Sequence, residues 1–67
     1  MTTEDKADVV EIISRCGTNG TSLFDAGLIE HLMSPNQRVV HSGLLERVRD
    51  GISTFYDVEV LNRLFQL

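Results

Sequence analysis

Apolar residues recur at three- and four-residue intervals through most of the chain, the spacing of one face of an α-helix. Each apolar stretch opens with a hydroxyl residue followed three positions later by an acid or amide, the signature of a capping box. Thr2 with Asp5 precedes Ala7, Val9, Val10, Ile12 and Ile13, and predicts a first helix from about Thr3 to Arg15. Acids at its start and Arg15 at its end complement the helix dipole. Val9, Val10, Ile12 and Ile13 are β-branched and would also suit a strand, but the cap and the charges decide for helix. Gly17-Thr18-Asn19-Gly20 then reads as a turn.

Ser22 with Asp25 opens a second helix, Leu23 to Met33, in which Phe24, Leu28 and Leu32 form a stripe widened by Ile29 and Met33. Gly27 inside it is expected to mark a close helix crossing. At Ser34-Pro35 one helix stops and another starts with almost no linker. Ser34 caps, Pro35 suits the first helical position and Gln37 closes the box. Helix three carries Val40, Leu44, Leu45, Val48 and Ile52 on one stripe and ends near Asp50-Gly51. Thr54 with Asp57 caps a fourth helix, whose Val58, Leu61, Leu64 and Phe65 keep helical spacing to the last residue. An end this apolar is expected to pack against the preceding helices or a second copy of the chain.

The predicted fold class is therefore all-α: one domain over residues 1–67, a small bundle of three to four short helices around a helical hairpin. A chain of 67 residues buries only about 60% of its unfolded surface, so its core alone is marginal. The single Cys16 forms no internal disulfide and fits a reducing compartment. Oligomerisation is the remaining common route to stability, and a homodimer is expected. No internal repeat is strong enough to suggest a solenoid.

The net charge of −4 and pI near 4.9 disfavour a dedicated nucleic-acid binder. Arg38, Arg47 and Arg49 make the third segment locally basic, and without interleaved aromatics they read as a solvated helix face. A DNA-binding regulator, with Asn36, Gln37 and Arg38 on a recognition helix, is the rival reading. No apolar run is long enough for a membrane span and no signal-peptide pattern opens the chain, which points to the cytoplasm.

Chemical motifs are sparse. Ser14, Ser22, Ser34, Ser42 and Ser53 sit where caps and turns need them, outside any nucleophile-elbow context. Cys16, His31 and His41 lack zinc-ligand spacing. The two histidines read as partly exposed helix residues and Cys16 as a small buried one. Gly17 and Gly20 are followed by no Lys-Ser or Lys-Thr pair, so they do not form a phosphate loop. The expectation is a non-enzymatic protein with no cofactor and no metal.

Two family resemblances sharpen this reading. Leu23-Phe24-Asp25-Ala26-Gly27-Leu28-Ile29-Glu30-His31-Leu32 resembles the approach to the phosphopantetheine attachment site of acyl and peptidyl carrier domains. Those domains have Asp-Ser-Leu where this chain has Glu30-His31-Leu32, and the resemblance implies a carrier-like domain without the attachment serine. From Ile12 to Leu67, the order Ile12-Ile13, Leu28-Ile29, Leu32-Met33, Val39, Leu44-Leu45, Val48, Ile52 and Leu61-Leu64-Phe65 is similar to the YmgB/AriR family of two-component-system connectors. That resemblance implies a dimeric helical hairpin acting by contact with signalling proteins such as the Rcs phosphorelay, with effects on biofilm formation and acid resistance. Leu44, Leu45, Val48, Leu61, Leu64 and Phe65 are the expected subunit contact, with Arg38, Arg47 and Arg49 as a partner-facing rim.

Overall fold

Local side-chain chemistry sets where four of the five helices begin. In the computed structural model, which describes residues 1–67, helix α1 spans Thr3–Arg15, α2 Leu23–Leu32, α3 Pro35–Val40, α4 Ser42–Asp50 and α5 Phe55–Leu64. The Asp5 N–H donates to Thr2 Oγ1 at 3.1 Å, and the Thr2 N–H returns a 3.4 Å bond to the Asp5 carboxylate. The same reciprocal box joins Ser34 to Gln37, at 3.3 Å in both directions. Thr54 and Asp57 form it again, at 2.9 and 3.3 Å. The Ser22 N–H donates to Asp25 Oδ2 at 3.0 Å. Each bond satisfies an N–H that the first helical turn otherwise leaves without a partner.

The all-helical expectation holds, with five helices in place of three or four. The predicted third helix is interrupted at His41, whose ψ of 29° departs from helical geometry and which ends α3 and begins α4. Val39-Val40 before it and Ser42-Gly43 after it are weak helix formers, so continuity costs little to lose. Four large members of the predicted apolar faces also stand outside the core: Val10, Phe24, Val40 and Ile52 are exposed. α5 stops at Leu64 rather than at the last residue, because Gln66 turns to φ 56°.

The core is built from Val9, Ile12, Cys16, Ala26, Ile29, Met33, Leu44, Val48 and Leu61, with Leu64 and Phe65 of the chain end packed half-buried against it. These residues expose a repeat that the sequence conceals. A shift of 32 positions, the separation of Arg15 and Arg47, carries Thr2–Met33 onto Ser34–Phe65. It superposes the caps Thr2 on Ser34 and Ser22 on Thr54. It also matches Ile12 with Leu44, Cys16 with Val48, and Ile29 with Leu61, all buried. Asn19 and Gly51, left-handed at φ 61° and 72°, are partners too, whereas Gly17, left-handed at φ 83°, is matched with the helical Arg49. The fold is thus a helix–loop–helix unit used twice, and the Ser34-Pro35 corner is the seam between the two.

Glycine has different roles in the two units. α2 and α4 are the most closely packed pair of helices. Ala26 is buried at their contact, yet a Cβ added at Gly27 meets nothing within 4 Å. The crossing therefore does not require this glycine, and Gly27→Ala should stabilise the protein by about 1 kcal/mol in a urea titration. Gly51 is required. It is left-handed, and a Cβ there would stand 3.2 Å from the Thr21 backbone oxygen of the other loop. Gly51→Ala should cost about 2 kcal/mol or more, while Asn19→Gly, at the equivalent position, should leave the urea midpoint nearly unchanged.

Candidate interaction surface

Loop docking gathers four helix ends at one pole of the molecule. Gly51 lies so near the Thr21 backbone oxygen that an added Cβ would stand 3.2 Å from it, which sets the loop after α1 against the loop after α4, so that α2 and α5 both begin there. Each begins in the same way, as Thr21-Ser22-Leu23-Phe24-Asp25 and Ser53-Thr54-Phe55-Tyr56-Asp57. In both, the first hydroxyl residue is buried with no partner for its oxygen, and the second is the cap. Two large apolar residues follow and the acid turns inward. Leu23, Phe24, Phe55 and Tyr56 are consequently exposed by 65, 87, 84 and 70%, with Ile52 of the second loop at 58%.

The inward acids lock each unit. Arg15 Nη2 donates to Asp25 Oδ1 at 2.6 Å, ten positions away. Arg47 does the same to Asp57 with two bonds, Nε to Oδ2 at 2.8 Å and Nη2 to Oδ1 at 2.6 Å. An arginine in the last turn of one helix thus holds the third residue of the next helix, fixing the angle of the loop between them. The Asp57 side chain is fully buried. Hydrogen bonding from Arg47 lowers its carboxyl below the ordinary value; burial pushes the other way, and the Thr54 N–H adds to the lowering.

The arginines expected to form one rim are divided by the fold. Arg47 is held by Asp57 and lines a groove of about 280 Å³ between α4 and α5. Arg38 and Arg49 line a different groove, between α2 and α4, opposite Glu30 and Glu46. Arg38 Nε donates to the Glu30 carbonyl oxygen at 2.7 Å, and Arg49 lies 3.4 Å from Glu46 and 3.5 Å from Asp50. Gln37, placed on a recognition helix in the DNA reading, is engaged with Ser34.

The predicted subunit contact is divided as well. Leu44, Val48 and Leu61 are at most 3% exposed and close the protein's own core, so they are not surface on the folded chain. Leu45, Leu64 and Phe65 are half-buried around it. Leu64 also reaches a groove of about 400 Å³ with Gln37, His41, Tyr56, Val60 and Arg63. This groove adjoins the one lined by Arg47, since both share His41, Tyr56 and Val60. Cys16 is buried, with its Sγ 3.5 Å from the Ile12 carbonyl oxygen, and His31 lies on the surface.

Periodicity places Phe24 and Ile52 on the inward stripes and does not single out Leu23, Phe55 or Tyr56. The signal that could have found them is the repeated five-residue motif, in which two large apolar side chains follow a cap with no inward role. Compared with known proteins, the chain matches no family profile, no curated protein and no solved structure. No helix is long and apolar enough to cross a membrane.

Proposed function

We propose that this protein is a small cytoplasmic, non-enzymatic regulator that acts as a homodimer through protein–protein contact. The reading extends to the class its apolar spacing resembles, the connectors that modulate a two-component phosphorelay in biofilm formation and acid resistance. One observation carries it. Ten large apolar side chains stand 40 to 87% exposed on a chain of 67 residues, half of them around one pole. Single exposed apolar residues are ordinary, but a patch of several hundred Å² usually marks a surface used for association.

The paired grooves between α3, α4 and α5 supply a second recognition element. Val40, Tyr56, Val60 and Leu64 offer apolar lining, and Arg63 is a cation at the edge. An amphipathic segment with acidic flanks, contributed by a signalling partner, fits that combination. Added to a reconstituted phosphorelay, the protein should change the rate of phosphotransfer, and Val40→Glu should abolish the change. Phosphotransfer unaltered at saturating protein would remove the connector reading.

A further inference from the structure

We infer that the loop pole is the homodimer surface, and that its occupant is the same pole of a second copy of this chain. The inference rests on the homodimer reading and locates the contact that reading leaves open. Three observations support a second copy over an unrelated partner.

The first is area. Fully exposed aromatic side chains contribute roughly 150–250 Å² each, so Leu23, Phe24, Ile52, Phe55 and Tyr56 together offer on the order of 700 Å². A stable complex of standard size buries about 800 Å² on each partner. The pole thus comes close to a full interface without help from the rest of the surface.

The second is charge. A molecule of net charge −4 repels its own copy over most of its surface. At the pole the five exposed residues are uncharged, and Asp25 and Asp57 are turned inward onto Arg15 and Arg47. Arg49 and Asp50, at the end of α4, lie 3.5 Å apart and offset one another. Like meets like here without an electrostatic penalty.

The third is the repeat. A twofold dimer places one patch against itself, so every residue must suit its counterpart in the other subunit. The pole carries the same apolar step twice, Leu23-Phe24 and Phe55-Tyr56, both at the first turn of a helix. Each step of one copy therefore has a chemically matched step to meet on the other.

Sedimentation and light scattering across a dilution series test this, using the wild type and a Phe24→Asp/Phe55→Asp double variant. Both sites are exposed and lie at helix starts, where an acid is favoured by the dipole, so the double variant keeps its helix content and melting temperature. The expected result is a wild-type dimer and a dissociation constant raised at least a hundredfold in the double variant. Val39→Asp, which adds an acid at an exposed site on α3 away from the loops, should leave the dimer within a few fold of wild type. A variant that stays dimeric overturns the pole assignment and leaves the homodimer reading standing. A wild type that is monomeric at every concentration overturns both. If that monomer instead sediments with neutral phosphatidylcholine vesicles, the pole is a lipid contact and the inference is equally overturned.

Discussion

Replacing Arg47 by Met should destabilise the protein by about 3–5 kcal/mol, because it leaves the buried Asp57 carboxylate without its cation. A chain of this length has only about 3–10 kcal/mol of total stability, so the variant is expected to be largely unfolded or to melt some 15 °C lower. The pH dependence identifies the cause. In the wild type the Asp57 carboxyl is held below its ordinary value of 3.8, so its contribution is complete above that pH and is lost as pH falls through the lowered value. In Arg47→Met only burial and the Thr54 N–H remain, the folded-state value moves upward, and the deficit should shrink between pH 7 and pH 5. Urea titrations at those two pH values measure it. A deficit that is unchanged or larger at pH 5 would show that the loss comes from packing of the arginine stem. Replacing both partners, Arg47→Met with Asp57→Leu, should recover most of the stability except the roughly 1 kcal/mol of the capping bond from Thr54.

That pair was invisible in the sequence for a physical reason. A capping box joins residues three apart, so Thr2 with Asp5 or Ser34 with Gln37 can be read from the chain directly. Arg47 and Asp57 sit ten apart across a loop, and only the folded loop brings them together. The same distinction explains the stripes. Periodicity shows that Leu44, Val48 and Leu61 share buried faces, but not whether the chain itself or a partner covers them. The chain covers them. On α2, apolar residues surround most of the helix, and spacing alone could not choose between Phe24, which is exposed, and Ile29, which is buried. The repeat was hidden because only three partners are identical, Arg15 with Arg47, Asp25 with Asp57 and Leu32 with Leu64. At several core and cap positions one aliphatic or hydroxyl residue replaces another, as Leu44 does Ile12 and Ser53 does Thr21, whereas Val9 with His41 and Glu11 with Gly43 differ in kind.

Equivalence of the two units has its own energetic consequence, at Ile29 and Leu61. Both are fully buried, both lie four residues after the inward acid of their helix, Asp25 or Asp57, and both join the same core cluster. Truncation of either to Ala removes buried methylene and methyl groups and leaves a cavity, at a cost of about 2–5 kcal/mol. If the units are equivalent, Ile29→Ala and Leu61→Ala should fall within about 1 kcal/mol of each other, measured by urea unfolding at 25 °C. They should differ in one respect. α2 packs closely on α4, whereas α5 has no such close neighbour, so the structure around Leu61 can relax further into the cavity. The Leu61→Ala loss is therefore expected to be the smaller of the two, by no more than about 1 kcal/mol. The reverse order, or a loss below about 1 kcal/mol at either site, would mean that the second unit does not carry the core as the first does.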